Sequence, residues 1–222
     1  MNPSPLAPEI LFHLGPVPVS RAVLTTWCLM AVLVVVPWAV FRRPRVVAGP
    51  VQGALEVLAE TIAAQVREIL GRDPWPFMPI LATLFLFIVT ANLTAALPGA
   101  TAPTGHVETP AALALVVFFS VHWFGIRDRG LRAYLSRYLE PTPLLLPLNV
   151  LGEITRTFSL MIRLFGNMMS HEFVVAILLY LAGFFLPVPF MALGILIGIV
   201  QAYIFTVLAA VYIGAGLGAI ET

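Results

Sequence analysis

The chain has 222 residues, of which 60% are apolar and only 10% charged, and its mean hydropathy is +0.98; this balance belongs to integral membrane proteins and excludes an ordinary soluble domain. All 12 basic residues are arginine, and a formal net charge of +1 gives no electrostatic reason for nucleic acid or another polyanion as partner. Cys28 is alone, which excludes an intrachain disulfide and a cysteine-based metal site.

The first apolar run, 22–41, is about 20 residues long, more than a usual signal core. It follows a leader with Glu9 and His13 and runs into Arg42, Arg43 and Arg45 without a small-residue cleavage site, so it reads as a retained transmembrane helix. Segment 51–72 changes character. Leu55, Leu58, Ile62, Val66, Ile69 and Leu70 recur at helical spacing, with Glu56, Glu60, Arg67 and Glu68 on other faces. This predicts an amphipathic helix at the membrane surface or against other helices, ended by Asp73, Pro74 and Pro76. Apolar spans at 77–97 and 111–126 form a hairpin around a Gly/Pro/Thr loop, 98–110, and Arg127, Arg129, Arg132 and Arg137 follow the second span.

Arginines therefore concentrate in 42–72 and 127–137, and one span followed by a two-span hairpin places both segments on one side. The positive-inside rule makes that side cytoplasmic. The N-terminus and the 98–110 loop, which has no Lys or Arg, are then outside. Two long apolar tracts, 144–185 and 188–220, complete the chain, with the C-terminus cytoplasmic. The proline-free stretch 148–185 would make a helix of roughly 57 Å, about twice a hydrocarbon core ~30 Å thick. It must tilt strongly or break near Gly152 or Gly166, and the second tract poses the same problem. The expected fold is one all-α integral membrane domain over 1–222, with about five transmembrane helices and one amphipathic surface helix, the last two long and strongly tilted.

TRTFSLMIRLFGNMMSHE, 155–172, sets charges inside this apolar setting. Arg156 and Arg163 are seven apart, about 20° from eclipsed, with Ser159, Gly166, Asn167 and Ser170 along the same stripe. Glu172 is nine residues from Arg163, about half a turn away, so the two cannot pair within one helix. An arginine at mid-membrane costs at least ~2.5–3.5 kcal/mol and cannot deprotonate; it needs a carboxylate. That carboxylate is either on another helix of this chain, where Glu108, Glu153 and Glu172 are poorly placed, or on a separate protein approaching past Gly166 and Ser170.

IRLFGNMMSHE resembles the signature of subunit a of F-type ATP synthases, in which Leu-Phe-Gly-Asn-Met follows an arginine and an acidic residue comes a few positions on. ITRTFSL resembles the family's Ile-Ser-Arg-Pro-Ile-Ser-Leu, QAYIFTVLAAVYI (201–213) its closing helix, and ANLTAALPG (91–99) with the PT near 103 its second span and loop; HLGPVP (13–18) is a looser likeness. The resemblance implies a non-catalytic stator subunit in a bacterial inner membrane. Its partners would be a ring of c subunits, each with a buried carboxylate, peripheral-stalk b subunits and the lipid bilayer, with no cofactor. Arg163 would be the cation that each ring carboxylate meets between two offset half-channels, holding it ionised and blocking direct proton passage. Glu172, His171, Asn167 and Gln201, with Glu108 and His106 at the mouth, would belong to the outside half-channel, and Glu153, Thr155 and Ser159 to the cytoplasmic one. The resemblance also leaves bland roles open: Asn167 supporting Arg163, Gln201 tying two helices together, Glu108 and His106 merely solvated. Arg156 would anchor near the cytoplasmic interface. His13 and His122 are unassigned, and Met168 and Met169 read as packing rather than a metal site.

The chain departs from the family pattern at Thr157, where the family has proline, and in the last helix, which has no histidine. His171 is expected to supply that imidazole from the opposite helix, with Gly194 as the space it fills. The short N-terminus, and His106 and Glu108 in a loop where the family more usually has acidic and amide residues, point to a divergent, alternate bacterial branch. The absence of lysine excludes a nucleotide-binding phosphate loop. The alternatives are a stand-alone secondary transporter with a buried Arg/Glu site, which commonly shows internal repeats not evident here, and a structural scaffold, which has no need of Arg163 at depth.

Overall fold

The computed structural model describes residues 10–14, 17–42, 49–96, 102–139, 146–183, 185 and 187–218. Apart from a short antiparallel hairpin of β1 (Ile10–Leu14) and β2 (Val17–Ser20), the described chain is helical. In chain order come α1 (Arg21–Phe41), α2 (Pro50–Leu70), α3 (Met78–Leu93), α4 (Glu108–Arg129), α5 (Leu131–Leu139), α6 (Leu146–Ala182) and α7 (Pro187–Leu217), with 3-10 turns at Thr94–Ala96 and Pro103–Gly105. The helices Glu108–Arg129, Leu146–Leu181 and Pro187–Leu217 are long and apolar enough to cross a membrane, and Val23–Ala39 and Met78–Thr94 are shorter apolar helices. The protein is an all-α multi-pass membrane protein.

Helix α7 is the hub, packing chiefly on α3 and α4 and also on α6 and α2. Its buried residues include Gly198, Ala202, Ala209, Ala210 and Gly214, interleaved with Phe205 and Ile213. In lipid, where acyl chains are as apolar as leucine, close backbone approach over small residues is what gives helices packing contact. The core joins these to Leu81, Leu84 and Ile88 of α3, Val117 and Val121 of α4, and Leu160 and Leu164 of α6.

Helix α6 runs unbroken through Gly152, Thr157 and Gly166 for 37 residues, about 55 Å at 1.5 Å per residue. A helix of that length fits a core ~30 Å thick only when steeply inclined. The Thr157 hydroxyl donates to the Glu153 carbonyl at 3.1 Å, a bond within the helix that proline could not accompany. Helix α2 buries Ile62, Ala63, Val66 and Leu70 while Glu56, Glu60, Arg67 and Glu68 stay exposed. It stops earlier than its Asp-Pro-rich exit requires, because Gly71 adopts φ 61° and returns its N–H to the Arg67 carbonyl.

One end of the bundle is fastened by arginine. Arg72, after α2, pairs with Asp128 at 3.0 Å, and Arg129 Nε donates to the Leu217 carbonyl at 2.8 Å. The latter bond satisfies a carbonyl that the C-terminus of α7 leaves open and meets the negative end of its dipole. Phe77 and Phe124 pack edge to face beside them, with ring centroids 4.8 Å apart.

Candidate functional site

Helix α6 turns Leu160, Leu164 and Met168 into the bundle, each at most 2% exposed. Arg156, Arg163, Asn167 and His171 lie along the edge of that stripe, at three- and four-residue steps or their sum. Three of the four reach α7. The Arg156 guanidinium stands over the Tyr212 ring at 5.9 Å, Asn167 Nδ2 donates to Gln201 Oε1 at 2.6 Å, and His171 Nε2 lies 3.0 Å from the Phe190 carbonyl. The first two contacts define an antiparallel register that brings Arg163, at the middle of α6, level with the buried Phe205.

Arg163 has no such partner. Among the described residues the ion pair present is Arg72–Asp128, and no carboxylate reaches the Arg163 guanidinium. Its side is open: a Cβ on Gly166 would meet nothing within 4 Å, and Phe158, Ser159 and Ile162 are exposed.

Glu172 faces elsewhere. Its Oε1 accepts the Ala102 N–H at 3.1 Å, and a Cβ on Gly105 would lie 2.8–3.0 Å from the carboxyl group. A side chain there would displace the carboxylate from this position, so glycine lets the 102–106 connection wrap it. The imidazoles of His106 and His171 are near enough to interact electrostatically with it. Since a carbonyl only accepts, the bond to Phe190 requires a proton on Nε2 of His171. The same ring fills the space beside Gly194, where an added Cβ would collide with it.

Two residues that the sequence reading does not assign extend this polar cluster. Thr104, fully buried, donates to Asn92 Oδ1 at 2.7 Å, and Asn92 Nδ2 donates to the Gly198 carbonyl at 2.9 Å. Gly198 permits this because its missing Cβ would lie 2.8 Å from that of Asn92. Gln201 follows one turn on; its Nε2 is buried without a hydrogen-bond partner among the described residues. Such a donor is characteristically satisfied by water. Polar groups thus extend from the 102–106 connection across α3 and α7 to Asn167, one helical turn from Arg163. The signal for Asn92 in the sequence is a lone amide inside an apolar span; for Thr104 there is none beyond its neighbouring proline.

The remaining candidates are more scattered. Glu108 is exposed in the first turn of α4, at the positive end of its dipole. Thr155 bonds the Leu151 carbonyl of its own helix at 2.8 Å. Glu153 is half-exposed and Ser159 exposed, and neither has a side-chain hydrogen bond to another described residue. His122 bonds through Nδ1 to the Phe118 carbonyl at 2.8 Å and packs on the Phe118 and Tyr134 rings. No three His, Cys, Asp or Glu side chains converge among the described residues in a way that could hold a metal ion.

A family model described as ATP synthase A chain matches residues 23–214. The chain belongs to the ATP synthase subunit a family. It is 54% identical over 220 residues to ATP synthase subunit a 2 of a Bradyrhizobium species, covering 99% of both chains. Over 213 residues it is 50% identical to ATP synthase subunit a 2 of Pelobacter propionicus, covering 96% of this chain and 93% of that one. Over 210 residues it is 46% identical to ATP synthase subunit a of Nitrosospira multiformis, covering 93% and 83%. The polar cluster and the lone Arg163 therefore lie in a membrane-sector subunit of an ATP synthase.

Proposed function

We propose that this subunit a carries protons through two offset half-channels at its boundary with a rotating ring of c subunits, so that ion flow turns the ring. The observation that carries the reading is Arg163: a permanent cation at the middle of α6, beside an open face, with no counter-ion from its own described residues. A mid-membrane guanidinium left alone is costly, and a carboxylate on a passing neighbour answers that cost. The neighbour's carboxylate is held ionised while it faces Arg163, because an adjacent opposite charge favours the charged form. It must release its proton before passing and take another afterwards. The same positive charge repels a proton that would cross directly, so conduction requires rotation. A membrane potential supplies about 2.3 kcal/mol per charge per 100 mV.

In this reading the outside half-channel runs past Glu108 and His106 to Glu172 and His171, then past Thr104, Asn92, Gln201 and Asn167, with water at the free Gln201 donor. Glu153, Thr155 and Ser159 serve the cytoplasmic side, where Arg156 is held over Tyr212. The arginine-rich end with Arg72, Arg127, Arg129 and Arg132 faces the cytoplasm of a bacterial inner membrane, with the N-terminus outside and the C-terminus inside. Nucleotide chemistry belongs to other subunits, and b subunits of a peripheral stalk hold this one still. Purifying the tagged chain from its own membranes tests the assembly: a ring of small subunits, each with one buried carboxylate, accompanies it. Recovery of the chain alone under conditions that preserve membrane complexes would overturn the reading.

A further inference from the structure

Helix α5 is not used by the mechanism, and its surroundings mark a membrane boundary. Along the outer face of α4, Leu115, Phe119, Trp123 and Arg127 follow one another at four-residue steps and all are exposed, Trp123 by 64%. Apolar, then aromatic, then cationic is the order of side chains met on leaving a hydrocarbon core through the headgroup layer. Gly130, at φ 81°, breaks the helix just beyond. The chain then turns back rather than leaving: the ring of Tyr134, 3% exposed, packs into the space that a Cβ on Gly125 would take, near the Gly216 carbonyl. Gly125 lies between Trp123 and Arg127, so Tyr134 fixes α5 at the boundary level.

At that level α5 is two-faced. Leu131 and Leu135, one turn apart, are 58% and 53% exposed on the side of Tyr134 that does not enter the bundle. Arg132 is exposed beside them. Asp128 is paired with Arg72 and Arg129 caps α7, whereas Arg127 and Arg132 have no partner among the described residues. Free positive charge thus flanks an uncovered apolar step, and the occupant that matches both is an anionic phospholipid, acyl chains under the leucines and phosphate at the arginines. We infer that α5 lies in the plane of the lipid interface and forms, with the end of α4, a binding site for anionic phospholipid headgroups. The site is independent of the proton path proposed above.

The test uses the full-length chain with Cys28→Ser, carrying a single label at Leu131→Cys, Leu135→Cys or, as a control about 100–140° around the helix from the leucines, Ser136→Cys, in nanodiscs of phosphatidylcholine with a minor fraction of phosphatidylglycerol. Spin labels at Leu131 and Leu135 are relaxed more by oxygen than by a water-soluble nickel chelate, and the label at Ser136 shows the reverse. A fluorophore at Leu135 is quenched more strongly by brominated phosphatidylglycerol than by brominated phosphatidylcholine at equal content. That preference falls about fivefold for each of Arg127→Gln and Arg132→Gln, while the label keeps its apolar environment. Nickel accessibility at Leu135 equal to that at Ser136, or shielding from oxygen and nickel alike as under a protein partner, overturns the inference. So does equal quenching by the two lipids, which is read on the labelled protein without any arginine substitution.

Discussion

The ring of His171 occupies the volume that a side chain on Gly194 would need, so one imidazole sits between α6 and α7 beside Glu172. The contact is steric, and it requires that the two positions not both carry bulk. Gly194→His alone is expected to depress ATP-driven acidification of membrane vesicles at least tenfold, and His171→Gly alone to lower it by removing the imidazole. The double substitution His171→Gly with Gly194→His restores a substantial part. An unrescued double variant removes the idea that the imidazole can be supplied from either helix.

Gly105 faces the Glu172 carboxyl group with no room for a methyl. Gly105→Ala is therefore expected to push the carboxylate from its bond to the Ala102 N–H and to slow pumping several-fold. Glu172→Asp, one methylene shorter, should recover part of the rate in the Gly105→Ala background while being harmful by itself. Equal rates for Gly105→Ala and the parent would mean that the connection does not hold Glu172.

The chain Thr104–Asn92–Gly198 is buried and joins the loop to α3 and α7. Asn92→Leu leaves the Thr104 hydroxyl and the Gly198 carbonyl unpaired, at a cost of about 1–3 kcal/mol by soluble-protein measurements and about 0.6 kcal/mol by the membrane average. Thermal unfolding in detergent should shift downward, and outward-side proton uptake should slow more than the stability change explains. Thr104→Val, which leaves one group of the pair, should be milder in both assays.

The Arg72–Asp128 pair gives a contrast in scale. Its side chains are 44% and 39% exposed, so its contribution is about 0–1 kcal/mol and is screened by salt. Arg72→Ala is expected to leave pumping unchanged and to lower the unfolding temperature slightly at low salt only. Loss of pumping in that variant would show that the C-terminal end of α4 does more than fasten α2.

Much of the architecture is legible in composition and period. The apolar tracts are long enough to announce α6 and α7, and the stripe of Ile62, Val66 and Leu70 announces the buried face of α2. Helical angles alone separate Glu172 from Arg163, and their side chains do face different surroundings. What stays hidden depends on chain segments meeting from afar. That the connection after α3 brings Thr104 to Asn92, 12 residues away, and that Asn92 reaches Gly198, 106 residues away, has no local signal. Helical angles leave Asn167 shared between two faces; only the register of α6 on α7 assigns its amide to Gln201. Helix α5 is hard to see because nine residues with two arginines resemble a polar connection, and its anchor, Tyr134 against Gly125, is a tertiary fit. The hairpin at Ile10–Leu14 and Val17–Ser20 is equally silent, a short ribbon whose register is irregular between Ile10 and Phe12.

Replacing Arg163 tests the central claim most directly. In vesicles whose complexes are intact, Arg163→Ala is expected to abolish ATP-driven acidification and, with the cation gone from between the proposed half-channels, to raise passive proton leak through the membrane sector. Coupled acidification at the parental rate in that variant would contradict the account.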